Sequence, residues 1–227
     1  VFTFMLIKEK RRLIILIMSI LFLLSGCSKD TTLYITEENG MYTASFLAMD
    51  TVMSFSIIGI NAKAKIQKAY DYIMAFDDTY SAHSQNSEVV KVNAEASNGI
   101  LISDNLAQQI NTALKVSIMT NGAFDITVFP LVNLWGFYDG NYTVPDSDSI
   151  EKAIKSIGYE KIKLKDNMLY LEKDTQIDLG AIAKGYAGEK TAQLLMNLGI
   201  KSGMLSLGGN MQIFGLNAYG SKWNIAI

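Results

Sequence analysis

Asp178 and Lys184 lie on either side of a short turn of small residues, and this arrangement suits the binding of an anion such as phosphate. Residues 177–188 read Ile-Asp-Leu-Gly-Ala-Ile-Ala-Lys-Gly-Tyr-Ala-Gly, the pattern of a strand end, a turn and a helix start. The first turn of a helix presents unpaired N–H groups and the positive end of the helix dipole. Many such joints bind nothing, so this turn alone is equally compatible with a packed joint.

Hydrophobic periodicity predicts the elements around this turn. The helix after it should run to about Asn197 and stop at Gly199. Another helix should begin at Asn61 or Ala62 and end near Thr79, and a third should begin at Ser103, a favourable N-cap. The remaining predictions are a strand pair Tyr42–Leu47 and Thr51–Ile58, a helix near 150–157, a hairpin of Lys161–Lys165 with Met168–Leu171, and a strand pattern at Trp223–Ile227. Met204–Gly215 predicts one strand, in which Gly208-Gly209 permits a bulge or a close backbone approach.

Two segments follow neither period. Residues 80–88 are polar and predict a loop. Residues 122–137 are mostly apolar but carry Asp125, Asn133 and Trp135. An apolar stretch without a regular period that contains such side chains indicates the wall of a ligand site.

Composition limits the class of function. The chain has 227 residues and a formal net charge of −2, which fits one α/β domain or two small ones and offers no basic field for nucleic acid. Its two prolines are too few for a long disordered linker. Because Cys27 is the single cysteine, an exported domain would have to be stable without disulfides.

The N-terminal region has the features of an export signal. Basic residues at 8–12 precede the apolar run Leu13–Leu24, which is too short to cross the hydrocarbon core. The ending Leu-Ser-Gly-Cys27 resembles a bacterial lipobox, in which the lipidated cysteine tethers a domain to a membrane face. An uncleaved anchor and a buried core cysteine are the alternatives. We expect a lipoprotein signal at 1–27, a tether of low order at 28–40 and a folded domain at 41–227, lipid-anchored on the extracytoplasmic side of a bacterial cell membrane.

Several blocks along the chain together resemble the ApbE-like flavin transferases, the FAD:protein FMN transferases. The blocks are Met49–Met53, Phe76–Asp78 with Ser87-Glu88 and Asn93, Gly122–Phe137, Asp178–Tyr186 and Leu207–Asn210. They come in the family's order and cover nearly everything after residue 40. The long Gly-Ala-Phe-Asp to Leu-Trp-Gly-Phe block is specific, whereas a lone Gly-Gly is not. The resemblance implies an α+β fold with mixed sheets and packed helices, of T-fold-related architecture.

The resemblance also implies an activity. Such an enzyme takes FAD, keeps Mg²⁺ in the site and moves the FMN half onto a threonine or serine hydroxyl of a target protein, with release of AMP. The implied target is a membrane-associated electron-transfer subunit. A hard cation on oxygen ligands and cationic side chains suit this chemistry, because phosphoryl transfer needs charge neutralisation and in-line placement. A non-catalytic FAD-binding lipoprotein and an FAD pyrophosphatase that uses water as the nucleophile are the alternatives.

The resemblance assigns roles to individual residues. The expected FAD contacts are Met49, Ala123, Phe124, Asp125, Asp178 and Lys184, and the backbone carbonyl of Ala181 is expected to be one Mg²⁺ ligand. His83 stands where family members typically have an aromatic residue, often Tyr, against the flavin. An imidazole can still stack or donate a hydrogen bond, and a merely solvated loop histidine is the alternative.

The chain departs from the family pattern at two further places. Asp50 stands where Gly is more frequent, which is tolerable if the turn needs no positive φ, since Asp visits the left-handed region better than most residues. The family's His-x-Ile-Asp-Pro-x-Thr-Gly-like segment, with further Mg²⁺ ligands and a cofactor contact, does not occur in these 227 residues. One carbonyl cannot hold Mg²⁺. We therefore expect a C-terminally incomplete fragment whose catalytic residues lie beyond Ile227, and which alone is poorly folded or inactive.

Overall fold

A five-stranded antiparallel sheet is the largest element of the structure, a computed structural model that describes residues 32–138 and 140–225. Its spatial order is β1-β2-β3-β7-β8. The strands are β1 Tyr34–Glu38, β2 Met41–Ala48, β3 Thr51–Ile58, β7 Ser202–Leu207 and β8 Asn210–Phe214. Tight hairpins join β1 to β2, β2 to β3 and β7 to β8, so one long connection between β3 and β7 carries the rest of the fold.

One face of this sheet is buried because apolar side chains alternate along its central strands. Phe46, Met53, Phe55 and Leu205 are at most 3% exposed. The helices α1 (Ala62–Tyr80) and α6 (Gly180–Asn197) pack against the sheet and against each other. Small residues let α6 lie close to the β7–β8 hairpin: a Cβ at Gly188 would be 3.3 Å from Leu207 Cδ1.

A smaller sheet and four further helices complete the long connection, which also contains α1 and α6. Strands β4 (Ile100–Leu101), β6 (Met168–Leu171) and β5 (Ile162–Lys165) pair antiparallel in that spatial order. The helices are α2 Glu88–Glu95, α3 Asp104–Met119, α4 Phe129–Leu134 and α5 Ser147–Ser156. Helices α2, α3 and α5 begin where a side chain accepts a hydrogen bond from a backbone N–H of the first turn, and the capping residues are Ser87, Ser103 and Asp146.

The main elements agree with the prediction from periodicity. The α+β class is confirmed, as are the β2–β3 pair and the β5–β6 hairpin. Helix α1 begins at Ala62, and Ser103 is the N-cap of α3. Helix α6 ends at Asn197, and Gly199 adopts a φ of 82° as expected of a left-handed stop. Apolar residues recur along these segments at helical or strand spacing, and turn or capping residues mark their ends, which is why the sequence predicts them.

Three predictions differ from the structure. Strand β1 lies inside the predicted tether of low order, because Tyr34–Glu38 pairs in register with Met41–Ser45; the sheet therefore begins seven residues before Met41. Met204–Gly215 is not one bulged strand, because the residues at 208 and 209 both have positive φ and close a hairpin. The pattern at Trp223–Ile227 does not form a strand over 223–225, and its last two residues lie outside the described residues.

The predicted signal segment also lies outside the described residues, and so do Cys27 and residues 28–31 of the tether. Residues Leu33–Ile227 make up one compact unit. Among the helices that the structure describes, none is long and apolar enough to span a membrane.

Candidate functional site

Two hairpin turns lie side by side at one end of the five-stranded sheet. Met49 and Asp50 form the β2–β3 turn, with φ of 50° and 57°, and Gly208 and Gly209 form the β7–β8 turn. Two successive residues with positive φ make a tight hairpin turn that matches the twist of the strands. The Gly208 N–H donates to the Val52 carbonyl at 3.3 Å. A Cβ at Gly208 would lie 2.5 Å from Thr51 Cγ2, so only glycine fits this approach.

Helix α1 holds the β2–β3 turn through Asp77. The Met49 N–H donates to Asp77 Oδ2 at 2.8 Å, a hydrogen bond strengthened by the charge of the carboxylate. The turn does require positive φ at Asp50, so Asp adopts there the left-handed conformation that glycine adopts more readily. The Met49–Asp77 contact therefore fixes a backbone segment that non-glycine residues adopt at some cost.

Hydrogen bonds of its backbone and of its side chain fix Asp178, two residues before α6 begins. The Asp178 N–H donates to the Ile126 carbonyl at 2.8 Å, and Asp178 Oδ1 accepts from the Gly180 N–H at 2.8 Å. The carboxylate thus caps the first turn of α6 in place of a residue at the N-cap position, where Leu179 makes no side-chain bond. Asp178 is fixed at the positive end of an 18-residue helix.

Asn93 in α2 fixes Ile177, the residue before Asp178. Its Nδ2 donates to the Ile177 carbonyl at 2.9 Å, and its Oδ1 accepts from the Ile177 N–H at 2.7 Å. The amide therefore pairs with this backbone as a neighbouring strand would. Because Ile177 is fully buried and precedes Asp178, the position of the carboxylate depends on this pair.

The phenol of Tyr138 contacts Asp178 near the start of α6. The hydroxyl donates to Asp178 Oδ2. The ring lies against His83, with centroids 5.1 Å apart, and stacks on Phe129 at 5.4 Å. Burial raises the pKa of Tyr138, and the hydrogen bond to Asp178 and its negative charge raise it further. The phenol therefore keeps its proton and remains a donor at physiological pH.

These features surround two cavities that share a wall. A small cavity of about 110 Å³ is lined by Met49, Asp77, His83, Tyr138, Asp178 and Lys184, among others. A larger open groove of about 980 Å³ lies between α3 and α6, and its lining includes Lys115, Gly180, Ala181, Lys184 and Lys190. Gly180 and Lys184 line both cavities. The first turn of α6, the element on which the phosphate prediction rests, is therefore the wall between them.

The structure brings together part of the expected site. Met49, His83, Asp178 and Lys184 line the small cavity, and Ala181 lines the groove. His83 is exposed, and its Nδ1 is 3.2 Å from Ser81 Oγ. Four of these residues therefore line one cavity, and the role of each residue stays a prediction.

Ala123, Phe124 and Asp125 are not among the residues that line either cavity. Asp125 Oδ1 instead accepts from the backbone N–H and the hydroxyl of Thr127, at 2.8 and 2.6 Å. Phe124 is partly buried against the core, and Ala123 is exposed. The segment 122–137 forms a 3-10 turn followed by α4. It contacts the cavity lining through the Ile126 carbonyl, which accepts from the Asp178 N–H, and through the Phe129 ring, which stacks on Tyr138.

Asp77 and Tyr138 are cavity residues that the sequence does not assign to the site. Asp77 belongs to a block that carries the family resemblance, but its contact with Met49 spans 28 residues. Tyr138 follows the Leu-Trp-Gly-Phe block and falls in a polar stretch without a period. Its ring direction depends on the turn that carries it, and no spacing rule predicts that direction.

The residues that the structure describes do not by themselves form a magnesium site. No group of three or more His, Cys, Asp or Glu side chains in 32–138 and 140–225 is placed to hold a metal. The carbonyl of Ala181 lies in the first turn of α6, and Mg²⁺ requires several oxygen ligands in octahedral geometry.

Comparison with known proteins gives one consistent result. The profile of the ApbE family matches residues 49–227. The chain is 32% identical to an FAD:protein FMN transferase from Salmonella typhimurium over 219 residues, with 91% of this chain and 62% of the relative covered. It is 29% identical to the protein of the same name from Escherichia coli, with 89% and 61% covered. The chain thus spans about three fifths of the length of these relatives.

Solved structures agree. The flavin transferase ApbE from Vibrio cholerae superimposes with a TM-score of 0.76 at 26% identity, covering 86% of this chain and 64% of that one. The ApbE protein from Thermotoga maritima gives a TM-score of 0.76 at 27% identity, with 80% and 60% covered. The range matched by the family profile contains every residue that lines the two cavities. The chain therefore belongs to the ApbE family.

Proposed function

We propose that the protein is an FAD:protein FMN transferase, which moves FMN from FAD to a threonine or serine hydroxyl of a target protein and releases AMP. The observation that carries this proposal is the joint at the start of α6. Asp178, Lys184 and the N-terminal turn of α6 line one cavity next to the Met49 turn. The names of the relatives support the choice of FAD as the substrate.

The reaction needs few covalent contributions from the protein. The hydroxyl oxygen of the acceptor forms a new bond to the phosphorus on the flavin side of the pyrophosphate, and the bond to the phosphate of AMP breaks. The hydroxyl proton passes to a base, and AMP leaves as a phosphate monoester. Charge develops on the equatorial and leaving oxygens, which a cation and helix N–H groups stabilise. In this proposal Lys184 and the first turn of α6 supply that stabilisation.

Magnesium dependence is part of the proposal and rests on the family resemblance. The described residues offer the backbone carbonyl of Ala181 as a single candidate ligand. Titration of the purified protein with Mg²⁺ after chelation would measure the dependence directly. Transfer that continues unchanged in excess chelator would remove magnesium from the proposal.

The cellular setting is also proposed. Cys27 would carry a lipid that anchors the domain on the extracytoplasmic face, where the target would be a membrane-associated electron-transfer flavoprotein. The basic flank and the short apolar run before Cys27 support this assignment. Replacing Cys27 by Ser should shift the protein from the membrane fraction to the soluble fraction, and an unchanged membrane fraction would contradict lipidation.

The test of the function uses FAD, Mg²⁺ and an acceptor peptide that bears threonine. The protein tested is the full-length gene product, and mass spectrometry of its wild-type reaction should show FMN covalently attached to the peptide. Asp178→Asn and Lys184→Ala should each reduce transfer by at least tenfold, whereas the exposed Asp174→Asn and Lys201→Ala, as matched controls, should not. Bound but intact FAD would instead indicate a flavin-binding protein, and free FMN with AMP would indicate a pyrophosphatase.

A further inference from the structure

We propose that Phe137 and Tyr142 form a docking surface for the target protein, on which they contact an apolar side chain near the acceptor threonine or serine. The two residues lie in the segment that joins α4 to α5. This inference rests on the proposed function, because it takes a protein as the second substrate. It names the part of this chain that recognises that protein.

A backbone hydrogen bond closes residues 135–143 into a short loop. The Thr143 N–H donates to the Trp135 carbonyl at 3.3 Å, and the Gly140 N–H donates to the Gly136 carbonyl at 3.1 Å. Gly136 and Gly140 have φ of 71° and 73°, a conformation that favours glycine. The backbone therefore gives this loop a defined shape, although most of its described side chains are exposed.

Two aromatic rings of the loop are exposed and contact each other. Phe137 is 59% exposed and Tyr142 is 73% exposed. Their centroids are 6.0 Å apart and their planes are 67° apart, an edge-to-face pair in which each ring limits the movement of the other. Single exposed apolar residues are common on protein surfaces. A pair of exposed rings on a closed loop is instead typical of the aromatic anchors of protein interfaces.

Tyr138 places this pair beside the candidate site. It follows Phe137 directly, donates from its hydroxyl to Asp178 Oδ2 and lines the small cavity. Because neighbouring Cα atoms are about 3.8 Å apart, the backbone of Phe137 lies next to a residue of the cavity wall. A protein bound on the two rings would therefore lie next to the cavity in which the proposed function places the phosphates of FAD.

The reaction itself calls for a contact of this kind. A hydroxyl alone does not distinguish the target from other proteins, so the enzyme must also bind groups around the acceptor residue. The faces of Phe137 and Tyr142 suit an apolar group, and the hydroxyl of Tyr142 can add a hydrogen bond. The partner that fits this surface is therefore a protein segment with a leucine-like side chain close to the acceptor hydroxyl.

The experiment uses the full-length gene product and two synthetic peptides with one central threonine. One peptide has leucine at three positions on each side of the threonine, and the other has serine there. Calorimetry gives the Kd of each peptide, and transfer assays at saturating FAD give KM and kcat. The wild type should bind the leucine peptide roughly tenfold more tightly than the serine peptide, because the rings cover apolar surface.

Variants of the two rings should remove this preference. Phe137→Ser and Tyr142→Ser should each raise KM and Kd for the leucine peptide roughly tenfold, and should leave the Kd for FAD unchanged. Tyr142→Phe keeps the ring and should stay within about threefold of wild type. Ile60→Ser and Tyr219→Ser are the controls. These residues are 82% and 89% exposed and follow β3 and β8, at the end of the sheet opposite to the two hairpin turns of the site.

Equal Kd values of the two peptides for the wild type, or a leucine preference that persists in both Ser variants, would overturn the proposal. Three other occupants of the surface predict that second result with a further change in the Ser variants. A second copy of the chain predicts dissociation of a dimer, and a membrane predicts loss of binding to phosphatidylethanolamine–phosphatidylglycerol vesicles. A further part of the same chain predicts a lower Tm. If one Ser variant does not unfold cooperatively, the other carries the test.

The two proposals fail separately, because calorimetric binding does not depend on transfer. A wild type that prefers the leucine peptide through Phe137 and Tyr142 but transfers FMN to neither peptide refutes the transfer function and leaves the docking surface. A wild type that transfers FMN to both peptides with the same KM and binds them with the same Kd refutes the docking surface alone.

Discussion

Asn93 donates from Nδ2 to the Ile177 carbonyl at 2.9 Å and accepts at Oδ1 from the Ile177 N–H at 2.7 Å, although the two residues are 84 positions apart. The residue after Ile177 is Asp178, whose carboxylate caps α6 and accepts the phenol of Tyr138. A helix in the long connection therefore determines where a carboxylate of the cavity lies. Asn93 is a positioning residue in this arrangement, since it does not line the small cavity itself.

Removing this amide should affect both stability and binding. Asn93→Ala leaves the buried N–H and carbonyl of Ile177 unpaired, so we expect the free energy of unfolding to fall by about 2 kcal/mol. Asn93→Asp keeps the acceptor for the Ile177 N–H but places a carboxylate oxygen against the Ile177 carbonyl, so its effect should be at least as large. Calorimetry with FAD should show weaker binding in the same order. The exposed Asn98→Ala is the control. FAD affinity that stays at the wild-type value in Asn93→Ala would contradict the positioning role.

Asp77 and Asp78 are neighbours on α1, and replacing each one in turn tests how the β2–β3 turn is held. Asp77 accepts the Met49 N–H and lines the small cavity, whereas Asp78 is exposed. Asp77→Ala releases a turn that needs positive φ at two non-glycine residues, so it should weaken FAD binding roughly tenfold and lower the free energy of unfolding by about 1–2 kcal/mol. Asp78→Ala should leave both quantities unchanged. Chemical denaturation and FAD titration of the two variants give the comparison, and equal behaviour would exclude a special role for Asp77.

Gln109 in α3 is fully buried, and neither atom of its amide has a hydrogen-bond partner in the part of the chain that the structure describes. An unpaired buried amide costs free energy that an apolar side chain of similar shape does not. Gln109→Met should therefore raise the free energy of unfolding by about 1 kcal/mol. Gln67→Met, at an exposed position of α1 that bonds to Asp71, should not stabilise the protein. A loss of stability in Gln109→Met would show that the amide has a partner that this structure does not contain.

The phenol of Tyr72 should make the free energy of unfolding depend on pH under alkaline conditions. Burial, together with smaller contributions from the neighbouring Tyr186 and Tyr80, raises the pKa of Tyr72 to about 12. The unfolded chain loses this proton near pH 10, before the folded chain does. Stability from Tyr72 is therefore complete below pH 10 and is lost as the pH rises from 10 to 12. Tyr72→Phe should reduce the slope of unfolding free energy against pH in that window, and Tyr219→Phe, at an 89% exposed position, should not. Identical slopes for the wild type and Tyr72→Phe would contradict this assignment.

The sequence predicts the elements that bury a strong apolar pattern and misses those that do not. Helix α1 and strands β2 and β3 present regular apolar positions to one core, so their periods are visible. Strand β1 reads Tyr-Ile-Thr-Glu-Glu and is almost entirely exposed. It is an edge strand stabilised by backbone pairing with β2, and backbone pairing leaves no hydrophobic signal. The turn at Gly208-Gly209 predicts a break in the strand, but the choice between a bulge and a hairpin depends on the partner strand.

In the candidate site, too, the sequence predicts local features and misses contacts between distant residues. The joint at Asp178 and the cation at Lys184 are local, and the sequence predicts them. The contacts that hold the joint join distant residues: Asn93 to Ile177, Met49 to Asp77 and Tyr138 to Asp178. Asp125 lies in an irregular apolar stretch, which indicates a ligand wall, and its side chain also caps a 3-10 turn, so its contact with FAD stays a prediction. A single sequence does not distinguish these two uses of a carboxylate.

Lys184 lines both cavities, and this has a consequence for fragments of a dinucleotide. Two separate phosphate-bearing molecules, one on each side of the first turn of α6, would share one ammonium group and repel each other across it. Each would therefore weaken the other's binding although they occupy different spaces. A single molecule that spans the turn meets no such antagonism, since its bridging phosphates use the cation once. The shared wall would thus favour the intact dinucleotide over its two halves supplied together.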